Sequence, residues 1–484
     1  MTMRAFRHRL WGNLSFAALA LALSLGMTPA NGDLERLSTL SDQRAVAVTI
    51  YNQDLALVRD ERRITLAPGF NHLAFRDVSG QINAATALLR SISSPGAVSV
   101  MEQNFNYDLL SPQKLLEKYV GKYVTVIHTN PATGKETREQ ARVLSTNEGV
   151  VLQYSNRIET EVDGHLSFPS LPSNLRDRPT LVIDLNSTSG AAQDVELSYL
   201  TGGLTWSADY VGALNVDDSR LDLNGLVTLG NTSGTTYTNA KLQLVAGDVN
   251  RVQQEFNAAK TLGRAVTADH VMQQESLLEY HLYTLGRPTT IAEKQTKQVA
   301  LLSASSIPVT KSLELRGSPY YYTGSYGDLG QRLKFGVYVE FRNDGSGLGI
   351  PLPKGTVRIY KKDSAGNEQF VGEDSIDHTP RHELVRLHLG DAFDVTANKK
   401  QTNYHLSHQG SEYIYETSFE IEMHNAKDQA QPVKIVEQMP GINWEIISEN
   451  YQHVKASADT AVWSIRLPAN GKQTLRYTVR VTII

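Results

Sequence analysis

The clearest pattern in the chain is an alternation of apolar and charged positions with a period of two residues. Successive side chains of a strand point to opposite faces, so this alternation predicts strands with one buried and one solvated face. A helix would scatter the same apolar and acidic residues all round its axis, which favours the strand. The segment 411–423 shows the pattern best, with one face formed by Tyr413, Tyr415, Thr417, Phe419, Ile421 and Met423 and the other by Glu412, Ile414, Glu416, Ser418, Glu420 and Glu422.

Turn signals separate such segments at short intervals, for example at Pro68-Gly69, Asn231 to Gly234, Asn343-Asp344-Gly345 and Asn470-Gly471. Gly and Asn supply the positive φ angles that tight reversals need. Short strands with regular turns are typical of sandwiches, so the sequence predicts a mainly β protein of multiple immunoglobulin-like β-sandwich domains.

A weak internal echo favours repeated modules. The segment 64–75 recurs in outline at 465–477 and more loosely at 290–301. Each copy is predicted to be a strand, a polar turn and a second strand, which together form a hairpin. Chance similarity between hairpins is the alternative, because such turn patterns are common. A genuine repeat would mark about three sandwich modules.

Three segments depart from this pattern. Ser111 as N-cap and Pro112 at the first helical position predict one short helix ending near Tyr119. Closely spaced short strands then resemble a small SH3-like barrel, inserted at about 118–168. A polar segment at about 250–278, rich in Gln and Ala, has too few apolar residues to bury a face and predicts a linker with a short helix.

The first thirty residues predict a signal peptide. Arg4, Arg7 and Arg9 precede an apolar run, Leu14 to Met27, and Pro29 follows it. About 14 apolar residues fall short of the roughly 20 that span a bilayer, which disfavours a membrane anchor. We therefore expect export through the general secretory route to the periplasm or the cell exterior. No second long apolar run follows, so no transmembrane segment is expected in the mature chain.

Length and composition narrow the remaining classes. A chain of 484 residues is too long for a single core, and we predict domains at 31–190, 191–310 and 311–484 after a signal peptide at 1–30. The absence of cysteine excludes disulfides, thiolate metal sites and thiol nucleophiles. The formal net charge of −4 and the lack of basic stretches interleaved with aromatics disfavour nucleic acid as a partner.

The sequence contains no complete catalytic or metal-binding motif. His382-Glu383 begins like a zinc-protease helix, but Arg386 stands where the second histidine is needed. Ser111 and Lys114 have the spacing of penicillin-binding enzymes, yet helix capping already explains Ser111. We therefore predict no metal and no cofactor.

Two groups of residues are candidates for a site. Tyrosine offers a flat apolar face and a hydroxyl, which suits sugars and protein interfaces, and half-buried strand tyrosines are the structural alternative. Acid–base residues on loops could instead form a hydrolase site, the alternative being cross-strand hydrogen bonding. The ligand-binding candidates are Tyr320, Tyr321, Tyr322 and Tyr326, and the catalytic candidates are Glu279, His281, His378 and Glu383.

Six sequence blocks occur in a characteristic order: Leu204 to Tyr210, Leu223 to Gly234, Leu242 to Gly247, Glu279 to Tyr283, His378 to Pro380 and Gly390 to Asp394. Together they resemble the uncharacterised C-terminal domain shared with mucoidy-inhibitor-A-like bacterial proteins. The resemblance extends from about Val195 to the C-terminus, and the long coiled-coil insertion of some members is missing. It implies an exported envelope protein of unknown activity, loosely associated with exopolysaccharide phenotypes, and it supplies no catalytic residues.

Within these blocks, Trp206 and Tyr210 share one strand face and should anchor a sandwich core. Asp209 and Asn231 are interpreted as strand-end hydrogen-bonding residues. The leading hypothesis is a non-enzymatic binding or structural protein for an envelope polysaccharide or protein partner. The alternative is an envelope hydrolase, and the sequence leaves the oligomeric state open.

Overall fold

The computed structural model of the protein describes residues 35–172, 175–247, 272–345 and 347–483. The predicted signal peptide at 1–30 and most of the predicted linker, as far as residue 271, lie outside the described residues. The described chain is mainly β, as predicted, and its strands form several sheets. No helix in these described ranges is long and apolar enough to cross a membrane.

The predicted short helix is confirmed as α1, Pro112–Lys118, where the Ser111 hydroxyl accepts from the Lys114 amide at 3.1 Å. Short 3-10 turns lie at Leu40–Asp42, Ala84–Thr86 and Pro319–Tyr322. The strands before residue 170 are β1 (Arg36–Ser38), β2 (Gln43–Tyr51), β3 (Leu55–Thr65), β4 (Gly69–Arg76), β5 (Leu88–Ser91), β6 (Val98–Asn106), β7 (Tyr123–Thr129), β8 (Glu136–Ser145), β9 (Val151–Gln153), β10 (Ile158–Glu159) and β11 (His165–Ser167).

The strands of the middle of the chain are β12 (Thr180–Ser187), β13 (Ala192–Thr201), β14 (Leu204–Leu214), β15 (Arg220–Asn231), β16 (Tyr237–Ala246), β17 (Gln273–Leu277), β18 (Tyr280–Thr284), β19 (Thr289–Ile291) and β20 (Gln295–Pro308). The remaining strands are β21 (Thr310–Arg316), β22 (Asp328–Arg342), β23 (Gly355–Lys362), β24 (Glu368–Ile376), β25 (Leu384–Gln409), β26 (Glu412–Asn425), β27 (Gln431–Gln438), β28 (Trp444–Glu449), β29 (His453–Ser457), β30 (Thr460–Leu467) and β31 (Gly471–Ile483).

These strands pair into five sheets in the described residues. The N-terminal part contributes the sheets β1-β4-β12-β6 and β17-β18-β16-β2-β3-β13-β5, with β19 paired to β16. The sheet β20-β15-β14-β23-β24 follows, and the C-terminal part forms the sheet β28-β31-β26-β25-β22-β21-β27-β30-β29. The last residues of the predicted linker form the strand β17, which pairs antiparallel with β18 and so belongs to a sheet.

The predicted small barrel is an open sheet. Its order is β10-β9-β8-β7-β11, and among the described strands β10 and β11 do not close it. Tyr119, at the end of α1, covers a separate small core with Val126, Val143 and Leu152. The Tyr119 hydroxyl donates to the Ser170 carbonyl at 2.6 Å, so the chain leaving β11 holds the helix end against the sheet.

Two strands contribute to two cores. The largest core takes residues from β2 onward and includes Val339 of β22 and Leu387 of β25. The second core contains Phe335 of β22 and Ala392 of β25. Register shifts in the β22–β25 pair near residue 336 bend both strands, as β-bulges do, and carry them from one core to the other. Residues on both sides of positions 190 and 310 contribute to the largest core, and the three-domain division stays a prediction.

Three buried asparagines share one hydrogen-bonding arrangement. Asn231, Asn343 and Asn425 lie where β15, β22 and β26 end, and each donates from Nδ2 to a carbonyl of its own loop. Each also donates to a carbonyl that lies shortly before the strand that pairs with its own: β20, β25 or β31. These second acceptors are Ile291 at 3.0 Å, Pro380 at 3.0 Å and Pro468 at 2.8 Å.

The three echoed segments are not hairpins. The strands β3 and β4 belong to different sheets, β19 pairs with β16 while β20 pairs with β15, and β30 and β31 have no partner in common. The echo therefore marks turns that cross between unpaired strands. Two of these segments supply the Ile291 and Pro468 carbonyls to the buried asparagines.

Asp218, in the turn between β14 and β15, ties two sheets together. It forms ion pairs with Lys311 of β21 and Lys361 of β23. Burial raises the pKa of Asp218, but the bonds from both lysines outweigh burial and hold the pKa below its usual range. The stabilisation is therefore present above the ordinary aspartate pKa and is lost as the pH falls through the lower pKa of the folded state.

We expect the Asp218→Asn variant to be less stable than the wild type near neutral pH. The difference in free energy of unfolding should shrink as the pH falls from about 5 to about 2, because the wild type loses its ion pairs over that range. Urea unfolding at several pH values measures this difference. Asp217→Asn, which changes the exposed neighbour, is the control and should show a small, flat difference. A constant difference for Asp218→Asn would contradict the assignment.

Candidate functional site

The predicted tyrosine cluster lies in the loop between β21 and β22, residues 318–327, which we call the tyrosine loop. Pro319 begins a 3-10 turn that ends at Tyr322. Two rings of the loop are exposed, Tyr320 by 53% and Tyr326 by 42%. The ring of Tyr320 meets those of Tyr321 and Tyr326 edge to face, with centroids 4.4 Å and 5.7 Å apart. These three rings form an aromatic surface, which we call the tyrosine surface.

One buried side chain fixes the backbone of this loop. Gln401 of β25 accepts from the Tyr326 amide at 2.6 Å through its amide oxygen. Its nitrogen donates to the Tyr321 carbonyl at 3.0 Å and the Gly324 carbonyl at 2.9 Å. Three backbone groups of the loop are therefore paired with the sheet beneath it, which fixes the backbone that carries the exposed rings.

Tyr322 is fully buried and faces the core, so it anchors the loop and offers no ring to a ligand. Its hydroxyl donates to Glu437 Oε2 at 2.8 Å and lies 3.1 Å from the hydroxyl of Tyr477. Burial, with the nearby Glu437 carboxylate, raises the pKa of Tyr322 well above its ordinary value. Tyr322 therefore remains a neutral hydrogen-bond donor.

Beneath the loop lies a buried ion pair between opposite parts of the C-terminal sheet. Lys399 Nζ of β25 is 2.6 Å from Glu437 Oε1 of β27, and the side chains are only 2% and 1% exposed. Burial lowers the pKa of Lys399, and the Glu437 carboxylate opposes that effect. Lys399 Nζ also lies 4.3 Å from the ring centroid of Tyr321, so the pair supports one ring of the tyrosine surface from below.

A polar cavity of about 490 Å³ adjoins the loop. Its lining includes Gly327, at the end of the tyrosine loop, and the stretch of β25 from Asn398 to Gln401. Charges of both signs surround the opening, including Asp328, Lys400 and Glu420. The site combines exposed aromatic faces with hydrogen-bonding groups of both kinds, an arrangement suited to binding.

The catalytic candidates have separate surroundings. Glu279 lies exposed in the turn between β17 and β18 and not on the strand face of His281, whose Nδ1 is 3.0 Å from Gln274 Nε2. The Lys354 amide donates to His378 Nδ1 at 3.2 Å. Glu383 is exposed just before β25. The hydrolase site built from these four residues stays a prediction, and among the described residues no group of three or more potential metal ligands is found.

The sequence profile of a domain of unknown function, DUF4139, matches residues 195–483. The chain belongs to the DUF4139 family. The match begins at Val195, where the resemblance was expected to begin, and membership of an uncharacterised family is thereby confirmed. No curated protein matches the chain.

The DUF4139 region holds the whole candidate site, including the residues that sequence analysis missed. Lys399 and Glu437 stand in alternating strands, where charged positions predict a solvated face, and nothing local marks them as buried. Gly317 is a sequence feature that points to the buried Glu437 carboxylate. A Cβ atom there would lie 1.8 Å from Glu437 Oε2, so a residue without a side chain is needed beside the carboxylate.

Proposed function

We propose that this DUF4139 protein is an exported envelope protein that binds a polysaccharide through the tyrosine surface and the adjoining polar cavity, without catalysing a reaction. The observation that carries the proposal is the fixed position of the exposed rings. Gln401 holds the loop before any ligand arrives, because it donates to the Tyr321 and Gly324 carbonyls and accepts from the Tyr326 amide. A binding surface ordered in advance loses less conformational entropy on association.

The chemistry of the site favours a sugar chain over a protein partner. Aromatic faces pack on the apolar faces of sugar rings, while hydroxyl groups need donors and acceptors close by. The tyrosine surface supplies the first, and Asp328, Lys400 and Glu420 of the cavity supply the second. A protein interface would instead favour an apolar centre with charges kept to its rim.

Two sequence features support the proposed place of action. The signal peptide predicted at 1–30 would bring the chain to the periplasm or the cell exterior, where such polymers occur. The resemblance to mucoidy-inhibitor-A-like proteins, with their loose link to exopolysaccharide phenotypes, points to the same class of ligand.

We expect the double variant Tyr320→Ala/Tyr326→Ala to lose about 2 kcal/mol of binding free energy, or about 30-fold in affinity, because central aromatic contacts dominate binding. An array of bacterial surface polysaccharides identifies a ligand, and calorimetry then compares the variants. Tyr107→Ala removes a ring that is 72% exposed outside the site and should leave affinity unchanged. The proposal is wrong if no polysaccharide binds, if the double variant binds like the wild type, or if only a protein is captured.

A further inference from the structure

A second cavity lies away from the tyrosine loop, where the turn after β2 approaches β14, β23 and the end of β24. Its volume is about 390 Å³, within the range typical of small-ligand pockets. Residues from all four places line it. Those used below are Asn52, Trp206, Ser207, Lys354 and Asp377.

Two donors in this cavity have no acceptor within the described part of the chain: the indole Nε1 of Trp206 and the amide Nδ2 of Asn52, both buried. Trp206 as a whole is only 9% exposed. An indole N–H can only donate a hydrogen bond, so it stays unsatisfied unless an acceptor lies within reach. Buried polar atoms without partners are uncommon in folded proteins, and each one calls for an explanation.

The other described tryptophans show what this chain ordinarily does with an indole. Trp444 Nε1 donates to the Ala458 carbonyl at 2.8 Å, and Trp463 Nε1 donates to Glu449 Oε2 at 2.8 Å. Trp206 differs because its buried N–H has no acceptor in the described part of the chain, while the residue itself lines a cavity. An acceptor that enters the cavity from solution would satisfy this N–H.

We infer that this cavity binds a small hydroxylated monocarboxylate of the uronic-acid type. A carboxylate offers two acceptor oxygens, which suits two unpaired donors, and Lys354 contributes a positive charge to the same lining. Asp377 and Ser207 also line the cavity. Asp377 can accept from hydroxyl groups of the ligand and disfavours a second negative charge on it.

The inference does not rest on the proposed function, because none of the tyrosine surface lines this cavity. The main alternative is that ordered water satisfies both donors, as water does in many polar cavities. The two explanations differ in what happens when a donor is removed. A ligand site loses affinity and keeps its stability, whereas a structural water site loses stability and has no affinity to lose.

The test uses D-glucuronate as the probe and D-glucose as its neutral counterpart, each titrated into the protein by calorimetry. We expect saturable glucuronate binding and at least about tenfold weaker glucose binding, the factor that one hydrogen bond accounts for. Asn52→Leu and Trp206→Phe each remove one donor and should weaken glucuronate binding about tenfold. Trp444→Phe is the control, since it removes an indole that is already paired and should leave binding unchanged.

Thermal melting without ligand provides the second readout. Asn52→Leu should melt at or above the temperature of the wild type, because it deletes an unpaired buried donor, while Trp444→Phe should melt lower. Three results would overturn the inference: no glucuronate binding to the wild type, equal binding of glucose, or wild-type affinity in Asn52→Leu. A lower melting temperature of Asn52→Leu would likewise count against it and favour water.

Discussion

Replacement of Lys399 by methionine is expected to lower the free energy of unfolding by about 3–5 kcal/mol, the range for breaking a buried ion pair. The variant leaves the Glu437 carboxylate in the second core, where its side chain is 1% exposed, with only the Tyr322 hydroxyl as a described donor. A charge without its counter-ion in a low-dielectric interior is costly, and methionine fills most of the space of the lysine stem. Urea denaturation, followed by tryptophan fluorescence, measures the loss.

The adjacent residue provides a matched control. Lys400 pairs with Glu420 at 2.6 Å, but its side chain is 56% exposed, so Lys400→Met should change the free energy of unfolding by no more than about 1 kcal/mol. The double variant Lys399→Met/Glu437→Leu should recover a substantial part of the stability lost in Lys399→Met, because no unpaired charge remains. Similar losses for Lys399→Met and Lys400→Met would show that the pair is not buried as described.

The features that sequence analysis predicted correctly depend on local pattern. Trp206 and Tyr210, four residues apart on β14, do share the buried face, and the Tyr210 hydroxyl donates to the Pro353 carbonyl at 2.8 Å. Ser111 and Pro112 likewise predict the N-terminus of α1 correctly. In these cases the side-chain period or the cap residue suffices, and no distant partner is needed.

The features that sequence analysis missed depend on which strands pair with each other. The segment 64–75 has the residues of a hairpin, yet its two strands join different sheets. Strands more than 100 residues away determine this pairing, as where Leu185 lies opposite Asn71. Asp209 was expected at a strand end, but it lies in the middle of β14 and pairs with Arg358 of β23. Register with a distant strand decides whether a polar side chain is buried, exposed or paired, and a single sequence does not contain it.

The candidate site shows the same division. Tyrosines crowded into one segment could be recognised as a cluster, and Tyr320 and Tyr326 are indeed exposed. Their support could not be recognised, because Gln401 and Glu437 belong to strands that are distant from the loop in the sequence. The sequence thus predicts that tyrosines cluster at a binding surface. It does not predict that the surface is rigid, because the rigidity depends on contacts with distant strands.

The buried asparagines are expected to be as important to stability as the ion pair, because each amide joins two segments of the chain by donating to a carbonyl of each. Asn231→Ala should lower the free energy of unfolding by about 3 kcal/mol, since it leaves the buried Thr235 and Ile291 carbonyls without the donor they share and Ser233 without its acceptor. Asn231→Asp should be at least as destabilising, because it turns a donor into a carboxylate that faces two carbonyl oxygens.

Asn224 lies on the same strand β15 but is exposed, and its side chain only accepts from the Ser303 hydroxyl at 2.8 Å. Asn224→Ala should therefore change the free energy of unfolding by less than about 1 kcal/mol. Because Asn425 makes the same contacts as Asn231 in the C-terminal sheet, Asn425→Ala should reproduce the loss seen in Asn231→Ala when both are measured by urea denaturation. If Asn231→Ala and Asn224→Ala lower the free energy of unfolding by the same small amount, the buried asparagines are not important to stability. Their shared geometry then reflects common turn chemistry alone.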